Sequence, residues 1–269
     1  MRTALLLSVA VFLPCFGYGS VWDWGDYQRR YVENTAWGPG ERLVFSVEYG
    51  IIKAGNASLS VTGPVDHQGL LAYRITAEAN SNPAFSSFFR VRDINESLLD
   101  MVQLHSLSYM KSLQEGDYSK SEEMFFDQEA GFAFYPEEED PELAEIPIPP
   151  HALDVLSAFY YARTQELEPG GNFCIDVHVD NDNYPLEVEV LERGSIRTRA
   201  GTFQCIQLHP VLRGEGLFNQ QGEIFIWVTD DERHMPVLMS ASIVIGEITC
   251  MLEDYTSGTP ISVENPFLQ

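Results

Sequence analysis

Apolar and polar positions along this chain alternate over most of its length, which is the signature of strands that bury one face. Leu43, Phe45, Val47 and Tyr49 alternate with Val44, Ser46 and Glu48; Tyr73, Ile75 and Ala77 alternate with Arg74, Thr76 and Glu78; Leu186, Val188 and Val190 alternate with Glu187 and Glu189. These runs predict half-solvated antiparallel strands. Ile224 to Val228 is apolar at every position, and Val237, Met239, Ala241, Ile243 and Ile245 follow in alternation. The two predict a hairpin that turns through Asp230-Asp231-Glu232-Arg233. Ile248, Cys250 and Leu252 form a last strand after Gly246. Turn residues cluster at Lys53-Ala54-Gly55, Asp66 to Gly69, Glu115-Gly116-Asp117, Asp180 to Asn183, Ala200-Gly201 and Asn219 to Gly222. Short strands between frequent turns predict a mainly β protein, built as a large curved antiparallel sheet or half-open barrel.

One segment breaks the alternation. His151 to Thr164 reads as a helix: Pro149-Pro150 precede it, Asp154 is a cap residue, Leu153, Leu156 and Tyr160 share a face, and Pro169-Gly170-Gly171 follow. This one principal α-helix, about 151–164, is expected to lie in or against the concave face of the sheet. The acidic block Glu137 to Glu142 and the proline-rich Ile146 to Pro150 read as a solvated connector. No repeat spans the connector, so a single β-rich domain is expected over 37–257, with a tail over 258–269. Residues 20–36 form an arm with Trp22 and Trp24; together with Trp37 these indoles are expected to pack on the domain edge or to meet a partner.

Composition adds compartment and partners. With 45% hydrophobic and 12% aromatic residues the chain can fill a core. Its formal charge of −24 repels phosphate backbones, which excludes nucleic acid, and membrane contact then needs a local apolar or basic patch. Arg2, the apolar run Ala4 to Phe16 and the small residues around Gly19 read as a cleaved signal peptide over 1–19, directing the protein to the periplasm or the exterior. No later apolar run has the length of a membrane span, so no transmembrane anchor is expected. Pro14 before Cys15 argues against lipidation. Cleavage leaves Cys174, Cys205 and Cys250 in apolar alternating segments, where a cysteine is usually a small buried hydrophobe, and one must stay unpaired.

Four stretches carry a resemblance. They are Gly40-Glu41-Arg42-Leu43-Val44-Phe45-Ser46-Val47 with Ala54, Gly55 and Ala57; Asp154 to Arg163; Thr198 to Ile206; and Ile226 to Arg233 with Pro236-Val237. In order and spacing they are similar to a bacterial family of secreted or periplasmic proteins, domain of unknown function 3108, over about Trp37 to Tyr255. The resemblance implies a β-rich periplasmic fold, similar to the curved half-open barrels of lipoprotein carriers, and implies no activity. Most of the matching residues have structural readings: Gly55 and Gly201 suit turns with positive φ, Ala54 or Ala57 a tight curve, and Asp230-Asp231 a hairpin loop that Arg233 bridges. Arg163 is expected to pair with a carboxylate near the helix end.

Candidate chemistry is sparse. No nucleophile elbow occurs, and Ser157 reads as a close-contact residue on a packed helix. Cys174, Asp176 and His178 share a strand face, about 7 Å apart at successive positions, and read as a polar face rather than a catalytic set. Asp180 to Asn183 lacks the rest of a calcium loop, and the histidines His67, His105, His151, His209 and His234 show no metal spacing. No cofactor, metal or catalytic residue is assigned. The expectation is a non-enzymatic envelope protein that binds lipid or another hydrophobic ligand in a curved sheet, or a structural or protein-interaction protein without such a ligand. Phe85, Phe88, Phe89, Phe159, Tyr160 and Trp227 are the candidate lining residues, and the same residues suit an ordinary core.

Overall fold

The computed structural model describes residues 26–136, 138, 140, 144–212, 223–242 and 246–267. The proposed leader, Trp22, Trp24, the turn at Asn219 to Gly222 and the apolar Ile243 to Ile245 lie outside them. Fourteen strands form one antiparallel sheet: β1 (Arg42–Tyr49), β2 (Ile52–His67), β3 (Leu70–Ser81), β4 (Arg92–Asp100), β5 (Ser106–Glu115), β6 (Tyr118–Asp127), β7 (Phe132–Phe134), β8 (Glu145–Pro147), β9 (Asn172–Val179), β10 (Asp182–Arg197), β11 (Thr202–Leu212), β12 (Ile224–Thr229), β13 (Pro236–Ser242) and β14 (Glu247–Thr256). Their order is β8 to β1, then β14 to β9. Consecutive strands are therefore neighbours everywhere except between β8 and β9, and β1 pairs with β14 at the middle of the sheet.

The predicted alternation sets the buried face. Leu43 and Phe45 are fully buried and Val47 nearly so, while Arg42 points out. Register shifts at Val44/Phe45, Thr62/Val65, Leu98/Leu99, Val190/Arg193 and Trp227/Val228 add local twist that lets long strands bend. The predicted turn at Lys53-Ala54-Gly55 is instead strand. The chain turns at Gly50, where φ is +58°, and Gly55 keeps a negative or extended backbone. Gly55 is needed for closeness: a Cβ there would stand 2.2 Å from the Asn80 carbonyl oxygen on β3. Gly201 does have the predicted positive φ.

The sheet curls until its edges nearly meet. They are not joined by a ladder but by the connector from β8: the Leu153 amide donates to the Asp176 carbonyl at 3.0 Å and the His178 amide to the Leu153 carbonyl at 2.8 Å. The helix α1 (Val155–Ala162) follows at once. It is shorter than the expected span because His151 has φ +61° and Asp154 is extended, so the turn before Val155 is a cap, not helix. Asp154 accepts from the Leu156 and Ser157 amides, both at 2.9 Å, satisfying two donors that the helix start leaves free. An eight-residue helix has little stability of its own, so packing holds it. Ser157 is buried, and Leu156, Ala158, Tyr160 and Ala162 are buried within a cluster that includes Tyr73, Ile75, Leu99, Tyr109, Ile175 and Val188. A second cluster joins Leu43, Phe45 and Val47 to Cys205, Val237, Cys250 and Leu252.

By strand direction, the β1–β2, β3–β4, β5–β6, β9–β10 and β13–β14 turns lie at one end of the sheet. The helix, the N-terminal arm and the tail lie at the other. Trp37 does not sit on the edge as expected: it is 1% exposed, donates Nε1 to the Tyr160 carbonyl at 2.9 Å, and meets the Tyr73 and Tyr160 rings edge-on. The strand-to-core preference for aromatic bulk outweighs its place in the arm. No helix among the described residues is long and apolar enough to cross a membrane.

Candidate functional site

The strands and helix bring three polar groupings into the interior. The first holds the helix. Asp154 Oδ2 accepts from Ser97 Oγ at 2.7 Å and Ser106 Oγ at 2.5 Å, and Ser97 and Ser157 hydroxyls meet at 2.5 Å. All four residues are buried, and burial pushes Asp154 up against the hydrogen bonds that pull it down. Serine, carboxylate and hydroxyl are thus together without an imidazole among the bonded partners and without an opening, so Ser157 acts as a joint of the fold. At the other helix end Arg163 Nη1 and Nη2 donate to Glu41 Oε1 and Oε2, each at 2.8 Å, while Nε and Nη2 also donate to the Arg233 carbonyl. The guanidinium lies 4.9 Å from the Tyr160 ring centroid. Arg233 in turn grips Asp231 in the β12–β13 turn.

The second grouping lies on inward positions of β4, β5, β6, β9 and β10. Lys111, 1% exposed, reaches Asp180 at 2.6 Å and Glu122 at 3.2 Å, and Tyr109 donates to Asn95. His178 is fully buried, with Nε2 at 2.8 Å from Tyr135 Oη and Nδ1 at 2.8 Å from Asn183 Oδ1. Burial lowers its pKa to about 4. Further along, Asp93 and Glu115 face each other, 1% and 4% exposed, and Asp93 Oδ2 and Glu115 Oε1 have no donor. Burial raises Asp93 to about 6, and burial with the neighbouring Asp93 charge raises Glu115 to about 7. Two carboxyls that share one proton satisfy this geometry.

The third grouping is at the helix end. His105 and His151 approach Nδ1 to Nδ1 at 3.4 Å, Tyr27 of the arm packs on both rings, and burial holds their pKa values down to about 3 and about 4. A shallow cleft of about 200 Å³ lies between arm and tail, lined by Tyr31, Glu33, Asn34, Met101, Pro260 and Ile261 among others.

The predicted lining residues do not meet at one place. Tyr160 is fully buried and Phe159 packs beside it on the helix. Trp227 belongs to the second cluster, its ring over Gly194. Phe85 begins a short 3-10 turn between β3 and β4; Phe88 is 90% exposed, and Phe89 lies over Gly116. Of the face Cys174, Asp176 and His178, only His178 is buried, and its ring is occupied by Tyr135 and Asn183. Cys174 is exposed, against expectation, because it shares the outward side of β9 with Asp176 while Ile175 and Val177 take the buried one; Cys205 and Cys250 are buried, and all three are free thiols. Asp180 is held by Lys111 and Asn183 donates to the Pro147 carbonyl, which accounts for the acidic turn. Among the described residues no three His, Cys, Asp or Glu side chains gather as a metal requires. The sequence reading missed Lys111, Asp93 and Glu115, although each falls on the buried parity of its strand beside Tyr109, Leu113 or Ser97.

A crystal structure of a β-barrel-like protein of domain of unknown function DUF1849 from Brucella abortus superposes with a TM-score of 0.56 at 7% identity, covering 82% of this chain and 99% of that one. A hypothetical protein, CT021, from Chlamydia trachomatis (TM-score 0.37, 10% identity, 85% and 92% covered) and a candidate lipoprotein from Parabacteroides distasonis (0.33, 10%, 85% and 100%) are looser. At such identities the Brucella likeness speaks to fold alone, and the other two carry no argument. No curated protein matches the sequence. The buried residues that bind the helix to the sheet, Glu41, Asp154 and Arg163, fall in the stretches noted in the sequence, and the profile of the family described as protein of unknown function DUF3108 matches residues 44–253: the chain belongs to that family.

Proposed function

We propose that this is an exported, non-enzymatic protein of the cell envelope, a barrel-like sheet filled by its own helix that acts through its surface rather than by holding a small molecule inside. The observation that carries the reading is the helix: Ser157 and Tyr160 are completely buried, Trp37 closes over Tyr160, and the Arg163–Glu41 pair pins the helix end. The aromatic side chains that a ligand at this end would need are already spent on the core. Export rests on the leader read from the sequence. The alternative is a lipid or other hydrophobic ligand held in the curved sheet. Organic-solvent extraction of protein purified from cells, followed by mass spectrometry, separates the two. An extract without stoichiometric lipid is expected; one lipid per protein would overturn the proposal in favour of the ligand-carrying reading.

A further inference from the structure

The end of the sheet opposite the helix carries an unusual surface. The β1–β2 turn exposes Ile51 completely and Ile52 by 57%, Phe88 in the β3–β4 loop is 90% exposed, and Tyr118 after the β5–β6 turn is 49% exposed. The three segments form one continuous rim. Asn82 ties the β3–β4 loop to the start of β2, its amide donating to the Ala54 carbonyl at 2.8 Å and its side chain to the Lys53 carbonyl at 2.5 Å. On the other side the Gly116 amide donates to the Arg90 carbonyl at 2.7 Å, and Phe89 packs over Gly116.

Charge in these three segments runs against the rest of the molecule, with the exposed Glu247 of the β13–β14 turn, whose carbonyl accepts from the Gly50 amide, as their acidic neighbour. The segments 50–53, 82–92 and 116–118 hold Lys53, Arg90 and Arg92 against one carboxylate, Asp117, in a chain of net charge −24. Arg90 and Arg92 are exposed, and no ion pair holds either among the described residues, whereas Lys53 is bridged to Glu253. Exposed aliphatic and aromatic tips flanked by free guanidinium groups match the boundary between acyl chains and anionic headgroups. The apolar tips enter that boundary while the cations meet phosphate. The acidic remainder is repelled by the same surface, which turns the rim toward it.

The geometry points to this rim as a docking surface for an anionic lipid bilayer, with Ile51 and Phe88 inserted and Arg90 and Arg92 on headgroup phosphates. It goes beyond the filled-interior reading and is independent of it: solvent extraction probes the interior, bilayer binding the rim. The test is co-sedimentation of the mature chain with vesicles of equimolar phosphatidylglycerol and phosphatidylcholine, and with phosphatidylcholine alone. The anionic vesicles are expected to bind the protein, and added salt to weaken the binding. Arg90→Gln with Arg92→Gln is expected to weaken it about thirtyfold, from the usual contribution of a cation near such a surface. Ile51→Ser with Phe88→Ser is expected to weaken it about tenfold or more. These side chains are on the surface, so circular dichroism spectra and melting temperatures should stay unchanged. Binding to neither vesicle, or equal binding by wild type and both variants, would overturn the proposal; the first result would leave the rim to a protein partner.

Discussion

Replacing Arg163 by methionine removes the guanidinium and leaves the Glu41 carboxylate, 4% exposed, without its two charged donors. Breaking a buried pair from one side costs about 3–5 kcal/mol, because the remaining charge is neither solvated nor paired. The loss of two bonds to the Arg233 carbonyl and of the contact with the Tyr160 ring adds to this. For a domain of this size each kcal/mol moves the melting temperature by roughly 2–4 °C, so a drop of about 10 °C is expected by calorimetry, with a matching fall in the urea midpoint. Glu41→Leu alone should cost a comparable amount by stranding Arg163. The double variant, Glu41→Leu with Arg163→Met, should recover about 2 kcal/mol or more relative to the sum of the singles, since it removes both charges together. The pair would not be the clamp described here if Arg163→Met cost less than about 1 kcal/mol, or if the double variant were simply additive.

The Asp93–Glu115 pair makes stability depend on pH. Both folded-state values, about 6 and about 7, lie above those of the free side chains, so the folded state holds protons that the unfolded state has released. The contribution of this pair should therefore decline as pH rises from about 4 to about 7, by up to a few kcal/mol, against the rise that the neutral His105, His151 and His178 supply over the same range, so Glu115→Gln should gain stability relative to wild type as pH rises; a stability difference between wild type and variant that stays constant from about pH 4 to about pH 7 would contradict it. The thiols should separate by accessibility: Cys174 should react with a maleimide in the native protein, while Cys205 and Cys250, buried and pushed up to about 11 and about 12, should react only on unfolding. Native labelling of two or more of these thiols would show that the second core is open.

The sequence made the strands and most turns legible because alternation is local: it depends on which face each residue takes, and Leu43, Phe45 and Val47 declare that by themselves. The cap at Asp154 and the hairpin at Asp230-Asp231 were legible for the same reason, each being specified by a few adjacent side chains. Proximity across the sheet was not legible. Glu41 and Arg163 lie 122 positions apart, and His105 and His151 lie 46 apart. Only the curl of the sheet and the return of the helix bring them together. The six aromatic residues grouped as one lining show the same limit, since period marks them as apolar but does not say which share a neighbourhood. Gly55 shows a third kind of miss. A glycine between turn-forming residues read as a turn, whereas the constraint was a carbonyl on the next strand, invisible until β2 and β3 are paired.

Three of the four stretches that carry the family resemblance share one physical centre. Glu41 stands before β1, Asp154 and Arg163 cap the two ends of α1, and Asp231 with Arg233 shapes the turn whose carbonyl Arg163 also holds. A curved sheet whose edges are joined through the Leu153 bridge and a few side-chain bonds gains little from a ladder at its seam, so fixing the helix helps hold the curl. A buried bidentate ion pair and a fully bonded carboxylate supply direction as well as attachment, because neither tolerates a shifted helix. Their role in this chain is to fix the helix against the sheet. The proposed docking rim of Ile51, Phe88, Arg90 and Arg92 is outside all four stretches, so substitutions there leave this fixation of the helix untouched.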